Sequence, residues 1–496
     1  MTLKHLSAAL LCTVLLAQPA LAQDAKTVIA NASKAMGADG VSSVTYYGSG
    51  ANYNLGQNNN AQGPWPRVNL NDYRRTIDLN APASRATAVT WAAPPQGTPA
   101  AQGAFNQVIT PANTQWAQQL EIWVTPWGFL KGAAANNATS RTQTVNGRRV
   151  HVVTWNAPIT SPGGQPYRVV GHINAQTNLV DRVETWVENP IFGDLLVETT
   201  YSNWREGLNG FKFPSDIAQR RAGWPTFDAQ ILSAEANPPN LQALITPPPP
   251  PAGRGGGPGG AGGGGGQAPA VTATAEKLAE GVYAIKGGYI ALAVEFNDHI
   301  VMFEPGPQNE ARAQANIAEI KRVIPNKPIR YGVISHHHFD HTSGLPGAVA
   351  EGITLVTHEN NRTFFERALN SPRTLAPDAI AKSKKKAIIE GVRDKRVFTD
   401  GTRTLEVHEG KGLPHADGML MACLPKERIL AYADMYNAPA PNAPAAPPTA
   451  GHVVMAANVD RLKLDVDTIV SVHAPVPDRP LRMTELRAGL KSAGTN

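Results

Sequence analysis

Residues 335–344 read "SHHHFDHTSG" and follow directly on the apolar run "YGVI" at 331–334. Four histidines and an aspartate fall within six positions, in a chain that has only 13 histidines among 496 residues. In an extended segment, side chains two apart point the same way, so His336 and His338 can grip one ion together. Neutral imidazole and carboxylate suit zinc, and also iron or manganese. The small residues Thr342, Ser343 and Gly344 favour a turn that swings Asp340 and His341 toward a second ion. The bland alternative is a solvated polar loop with coincidental histidines. His337 points away from the first pair, toward a place behind the ligands or on the surface.

A zinc site needs three or four protein ligands, so others must come from elsewhere. Three downstream residues stand in suitable settings: His415 in the loop "GKGLPHADG", Asp434 ending the apolar "RILAYAD", and His473 ending "TIVSVHAP". Around them the second half alternates strand-like runs ("GVYAIKGG", "ALAVEFN", "HIVMFEPG", "IRYGVI") with helical ones. "NEARAQANIAEIKRVI" has helical apolar spacing and stops before Pro325. This alternation predicts a layered α/β sandwich with ligands at strand ends. Cys423, in the apolar "MLMACL", is expected in the core.

The run "HHHFDH" resembles the H-x-H-x-D-H signature of the metallo-β-lactamase superfamily, and His415, Asp434 and His473 follow in that family's order. The likeness covers about 272–496, including "GMLMACLPKERILAYADMY" and "RLKLDVDTIVSVHA". It implies an αββα sandwich with a dinuclear site: His336, His338 and His415 on one metal, Asp340, His341 and His473 on the second, Asp434 bridging. Three positions depart from the family pattern. Ala433 and Ala474 stand where glycine is usual, and Glu304 in "VMFEPG" stands where an aspartate usually supports the site from behind.

Two divalent ions sharing a water bring its deprotonation near neutral pH, with Asp340 or Asp434 placed to orient it and return a proton. The expected chemistry is therefore metal-dependent hydrolysis of an ester, lactone, β-lactam or related bond, with two zinc ions as cofactors and a small molecule as substrate. Two alternatives are a mononuclear iron dioxygenase acting on a persulfide, and an envelope binding protein whose metal domain is not catalytic.

The first half is of a different kind. "MTLKHLSAALLCTVLLAQPALAQDAK" has a lysine, an apolar stretch from Leu6 to Ala17 and Ala20-Leu21-Ala22, the pattern of a cleaved export signal over 1–22. A periplasmic or secreted protein is expected. The apolar stretch is too short for a membrane span. Beyond the leader only Cys423 remains of the two cysteines, so no intrachain disulfide is expected in the mature chain. Residues 23–245 hold all nine tryptophans and read as one helix, "DAKTVIANASKAMG", followed by short strands, with a hairpin at Gln176-Thr177. This predicts an antiparallel, curved sheet, and "TTYSNWREGLNGFKFPSDI" resembles periplasmic lipoprotein-carrier and lipoprotein-sorting domains. The tryptophans either fill the core of that sheet or line an apolar ligand pocket. A Pro/Gly-rich linker at 246–271 divides the two parts. A second such stretch, 437–451, reads as a surface loop beside the site and suggests an apolar or bulky substrate. The net charge of +6 and the isolated run Lys384-Lys385-Lys386 give no reason to expect nucleic acid. The oligomeric state is not legible.

Overall fold

The computed structural model describes residues 24–92, 102–112, 115–247, 271–439 and 447–491. The expected leader, 1–22, and nearly all of the expected linker, 246–271, lie outside the described residues. Among those described, no helix is long and apolar enough to cross a membrane.

Strands between Ser43 and Ala236 form one 11-stranded antiparallel sheet. The first, Ser43–Tyr53, lies between Arg67–Asp78 and the last, Trp224–Ala236. The edge strands, Gly103–Ile109 and Thr139–Val145, are not paired with each other, so the sheet stays open. The hairpin at Gln176-Thr177 forms between Pro166–Asn174 and Val180–Asn189. Asn174 Oδ1 closes its turn by accepting from the backbone N–H groups of Gln176 and Thr177.

Helix Ala25–Ala35 starts where Asp24 accepts from Thr27 N, and it buries Val28, Ile29 and Ala32. To the one expected helix the structure adds Trp116–Trp123 and Pro126–Ala135, and a short one, Leu241–Ile245. The first is only eight residues long and the second is apolar on nearly every side, so neither a two-residue nor a 3.6-residue period stands out. Packing decides: Trp116, Leu120, Trp127 and Phe129 are buried in one cluster with the sheet, and Thr125 caps the second helix by accepting from Gly128 N. The tryptophans serve this core. Trp155 meets Trp116 and Trp123 edge-on, and Trp127 stacks on Phe211.

Residues 274–482 form two further sheets, of seven and six strands, each in chain order. In Met419–Leu424 the even positions Leu420, Ala422 and Leu424 face the other sheet. The odd ones, Met419, Met421 and Cys423, face the helices Ala450–Arg461 and Met483–Lys491. Ile300–Phe303 divides the same way: Val301 and Phe303 turn inward, Ile300 and Met302 turn toward Glu310–Val323 and its neighbours. This period of two on doubly covered sheets makes an αββα sandwich.

The two parts are docked. Arg373 Nη2 donates to Ile191 O at 2.6 Å, its Nη1 donates to Pro190 O at 3.1 Å, and it pairs with Asp378. Asp194 accepts from the N–H groups of Thr374 and Leu375. Phe192 meets Phe339 and Phe364 edge-on.

Candidate metal centre

Four elements of the sandwich aim their carboxyl ends at one place. Glu304 follows strand Ile300–Phe303, His336 follows Ile329–Val333, Asp434 follows Ile429–Tyr432 and His473 follows Thr468–Ser471. The pairings Ile300–Phe303 with Ile329–Val333, and Ile429–Tyr432 with Thr468–Ser471, are parallel, so those ends lie together at the ligand-binding edge of such sheets. The chain stays extended through His338 and then makes one helical turn, Phe339–Thr342, which swings Asp340 and His341 around. His415 comes from the loop before Met419–Leu424.

All seven residues singled out as ligands converge. Three groups have ligand atoms within 4.8 Å of one another: His336, His338 and His415; His336, His341 and Asp434; Asp340, His341 and His473. Asp434 lies between the outer two. Its Oδ2 is 2.8 Å from His341 Nε2 and 3.6 Å from His336 Nε2. Its Oδ1 is 2.9 Å from His473 Nε2 and 3.8 Å from His415 Nε2. Asp434 holds this position with φ of +57°, a left-handed conformation that costs an L-residue roughly 1–2 kcal/mol.

The donor set fits a metal. His336 Nε2, His338 Nδ1 and His415 Nε2 are buried and have no hydrogen-bond partner in the protein. Buried polar atoms are nearly always paired, so three converging orphans point to a ligand. Burial, with the neighbouring histidines adding to it, pushes His336 well below the usual range, His338 down to about 4 and His415 also down. These imidazoles are neutral, as ligation requires. The other half is charged. Burial acts against it, but contacts with His341 and His473 hold Asp340 and Asp434 far below the usual carboxylate range. In turn His473 is pushed up to about 9 despite burial, through Asp340 and Asp434. A dication bound there would take the place of these protons.

Glu304 stands behind His341, its Oε1 3.3 Å from Nδ1, with both side chains fully buried. His337 is also fully buried, which corrects the surface alternative. Its Nε2 lies 2.8 Å from the backbone oxygen of Asn58.

Sequence reasoning missed three residues at the site. Tyr289 donates to Asp340 Oδ2 at 3.1 Å and packs on His473. From the first domain, Gln57 Nε2 donates to Asp340 Oδ1 at 3.0 Å, and the oxygen of Asn58 also lies 2.9 Å from His338 Nε2. The polar run "NLGQNNNAQG" carries only a turn signal. A cleft of about 310 Å³ beside His338 and His415 is lined by Asn54, Gln57, Pro66, Leu413 and Pro414. A larger cleft, about 700 Å³, lies on the first domain beside Arg74, Glu206 and Leu208, but it contains none of the clustered histidines. The expectation that 437–451 borders the site falls in part on 440–446, outside the described residues.

Residues 290–471 match the family described as the metallo-beta-lactamase superfamily. Among solved structures, a metallo-beta-lactamase from Pontibacter korlensis is 17% identical, with a TM-score of 0.34 over 45% of this chain and 100% of the other. One from Hirschia baltica is 17% identical, TM-score 0.34, over 45% and 98%. The sec-alkylsulfatase Pisa1 from Pseudomonas sp. is 17% identical, TM-score 0.32, over 45% and 42%. No curated protein matches the chain.

Proposed function

We propose, from the membership of residues 290–471 in the metallo-β-lactamase superfamily, that this chain is an exported metal-dependent hydrolase of an ester, lactone, β-lactam or related bond. The observation that carries the reading is the place of Asp434, one carboxylate within 3.8 Å of His336 and His415 on one side and within 2.9 Å of His341 and His473 on the other. His336, His338 and His415 would hold one ion, and Asp340, His341 and His473 the other, with zinc as the metal and iron or manganese as alternatives. Bound there, the ions supply Lewis acidity and lower the pKa of water.

The chain's own residues do the rest. Asp340, held by Gln57 and Tyr289 on its two oxygens, is fixed in orientation and placed to accept a proton and pass it to a leaving group. The Tyr289 hydroxyl, which donates to Asp340, keeps its proton: burial and then Asp340 push its pKa up. Pro66, Leu413 and Pro414 give the cleft apolar walls, while Asn54 and Gln57 offer amide groups. A cleft of that size takes a small substrate, with the polar groups setting its orientation.

The deciding measurement is metal content per mature chain, beside the His338→Ala variant. About two zinc ions in the parent and a clear loss in the variant support the reading, and turnover of an ester, lactone and β-lactam panel then identifies the bond. A single iron would replace it with an oxygenase. No metal taken up when offered would sink it.

A further inference from the structure

The first domain reaches the centre through the segment between strands Ser43–Tyr53 and Arg67–Asp78, and that segment is fastened at both ends. Gly56 O accepts from Phe339 N at 3.2 Å. A Cβ on Gly56 would stand 2.3 Å from the Phe339 ring, so the two backbones meet at a contact only glycine permits. Asn59 Nδ2 donates to Pro414 O at 2.9 Å, and Asn59 O accepts from Asp417 N. Trp65 packs edge-on against Phe339. Between these fixings Asn58 is fully buried. Its side-chain amide donates to Asn60 O and Gly63 O, which holds its own carbonyl in place.

That carbonyl has two lone pairs and receives two imidazoles, His337 at 2.8 Å and His338 at 2.9 Å. A carbonyl only accepts, so each Nε2 must carry the proton. For His338 this leaves Nδ1 as the bare nitrogen, and Nδ1 is the buried atom without a partner beside His336 and His415. A ligand histidine is oriented by whatever its other nitrogen donates to. Here that partner belongs to the other domain, some 280 residues earlier in the chain.

We infer that the N-terminal β domain is a working part of the metal centre: Asn58 is a positioning residue that fixes the Nε2–H tautomer of His338, and Gln57 does the same for the orientation of Asp340. The inference rests on the metal-centre reading above, and the experiment separates the two. Zinc affinity of the full mature chain is measured by competition with a chelator, and the visible absorption of the cobalt-loaded protein is recorded. The variants are Asn58→Ala, Gln57→Ala and, as a control on docking alone, Asp194→Ala. Loosening an outer partner of a metal ligand weakens binding by about ten- to a hundredfold, so Asn58→Ala should lose about tenfold in zinc affinity with altered cobalt bands. Gln57→Ala should lose about tenfold, on the ion that Asp340 would hold. Asp194→Ala should stay within about twofold of the parent and keep its cobalt spectrum.

Unchanged affinity and spectrum in both loop variants, with the parent binding zinc, overturn the inference and leave the hydrolase reading standing. Equal losses in Asp194→Ala also overturn it, because docking alone would then account for the effect. A parent that binds no zinc removes the hydrolase reading and this inference together. If Asn58→Ala does not fold, the half-exposed Gln57→Ala decides by the same criteria.

Discussion

Replacing Glu304 by glutamine tests how the sequence tunes the centre from behind. Glu304 is fully buried with φ of +66°, and neither carboxylate oxygen has a hydrogen-bonding partner apart from the approach to His341 Nδ1 at 3.3 Å. A buried carboxylate costs several kcal/mol unless something compensates it, and the left-handed backbone adds roughly 1–2 kcal/mol. Glutamine keeps the shape, the backbone strain and one oxygen acceptor, so the difference isolates the charge. With a dication on His341 Nε2, that charge makes the imidazole a stronger ligand. The same charge also favours a proton on His341, whose pKa is raised well above the ordinary value although burial opposes it. A proton brings one charge and the metal two, so removing the carboxylate costs the metal complex more. The expected loss is about ten- to a hundredfold in affinity, or about 1.4–2.8 kcal/mol. Metal-free stability should fall as well, since a protonated His341 loses the buried carboxylate paired with it. At about 2–4 °C per kcal/mol for a domain of this size, the gap between zinc-loaded and metal-free melting temperatures should narrow by about 3–11 °C. Chelator competition and paired melting curves measure both quantities. Affinity within twofold of the parent, with the same gap, would refute the reasoning.

Other consequences follow from burial. Cys423 is 1% exposed and burial pushes its thiol up to about 12, so the native protein at pH 8 should resist alkylation that goes to completion in urea; native reaction within minutes would contradict the placement of strand Met419–Leu424. Arg373→Ala removes a buried guanidinium that holds two carbonyls of the first domain and Asp378. Breaking such a pair costs about 3–5 kcal/mol, to be read from urea unfolding, and a change below about 1 kcal/mol would mean the docking contact is not what holds the parts together. Gly132→Val should cost about 1–3 kcal/mol by overpacking, because a Cβ there already meets the Trp155 ring at 2.4 Å; an unchanged melting temperature would show that this core has slack.

What was legible depended on distance along the chain. His336, His338, Asp340 and His341 declare themselves because their spacing is local and matches an extended segment ending in one turn. Asp434 and His473 are legible because each ends an apolar run, and His415 because it stands in the loop before one; the sandwich brings such strand ends together. The helices at 116–135 were hidden because the first is only eight residues long and the second is mostly buried small and apolar residues, so neither shows a clear amphipathic period. Asn58 and Gln57 were hidden for the opposite reason. They sit in a polar, turn-forming run whose partners are about 280 residues away, and nothing local tells such a run that it lies against a metal centre. Glu304 was legible only by its place at a strand end; its left-handed backbone was not.

The first domain was expected either to carry a ligand or to serve the second in some unspecified way, and its packing bears on that choice. In the apolar core Trp155 packs edge-on against Trp116 and tilted against Phe129, and Trp127 stacks on Phe211; the cleft of about 700 Å³ on this domain is lined by none of these rings. Gly171 and Gly132 are needed so that Phe129 and Trp155 fit at all, since a Cβ at either would fall within 2.5 Å of a ring. A core closed to that degree makes a stiff frame. What the frame presents to the second domain is two rims: 190–194, which meets Arg373, Thr374 and Phe364, and 56–65, which meets Phe339 and the histidines. Phe339 touches both rims, through Phe192 and Trp65, and it is the residue between His338 and Asp340. The Asp194 contacts with Thr374 and Leu375 only dock the two parts. Phe192 and Trp65 on either side of Phe339, with Asn58 O against His337 and His338, limit how far the ligand turn can shift, which is the support a preorganised metal centre requires.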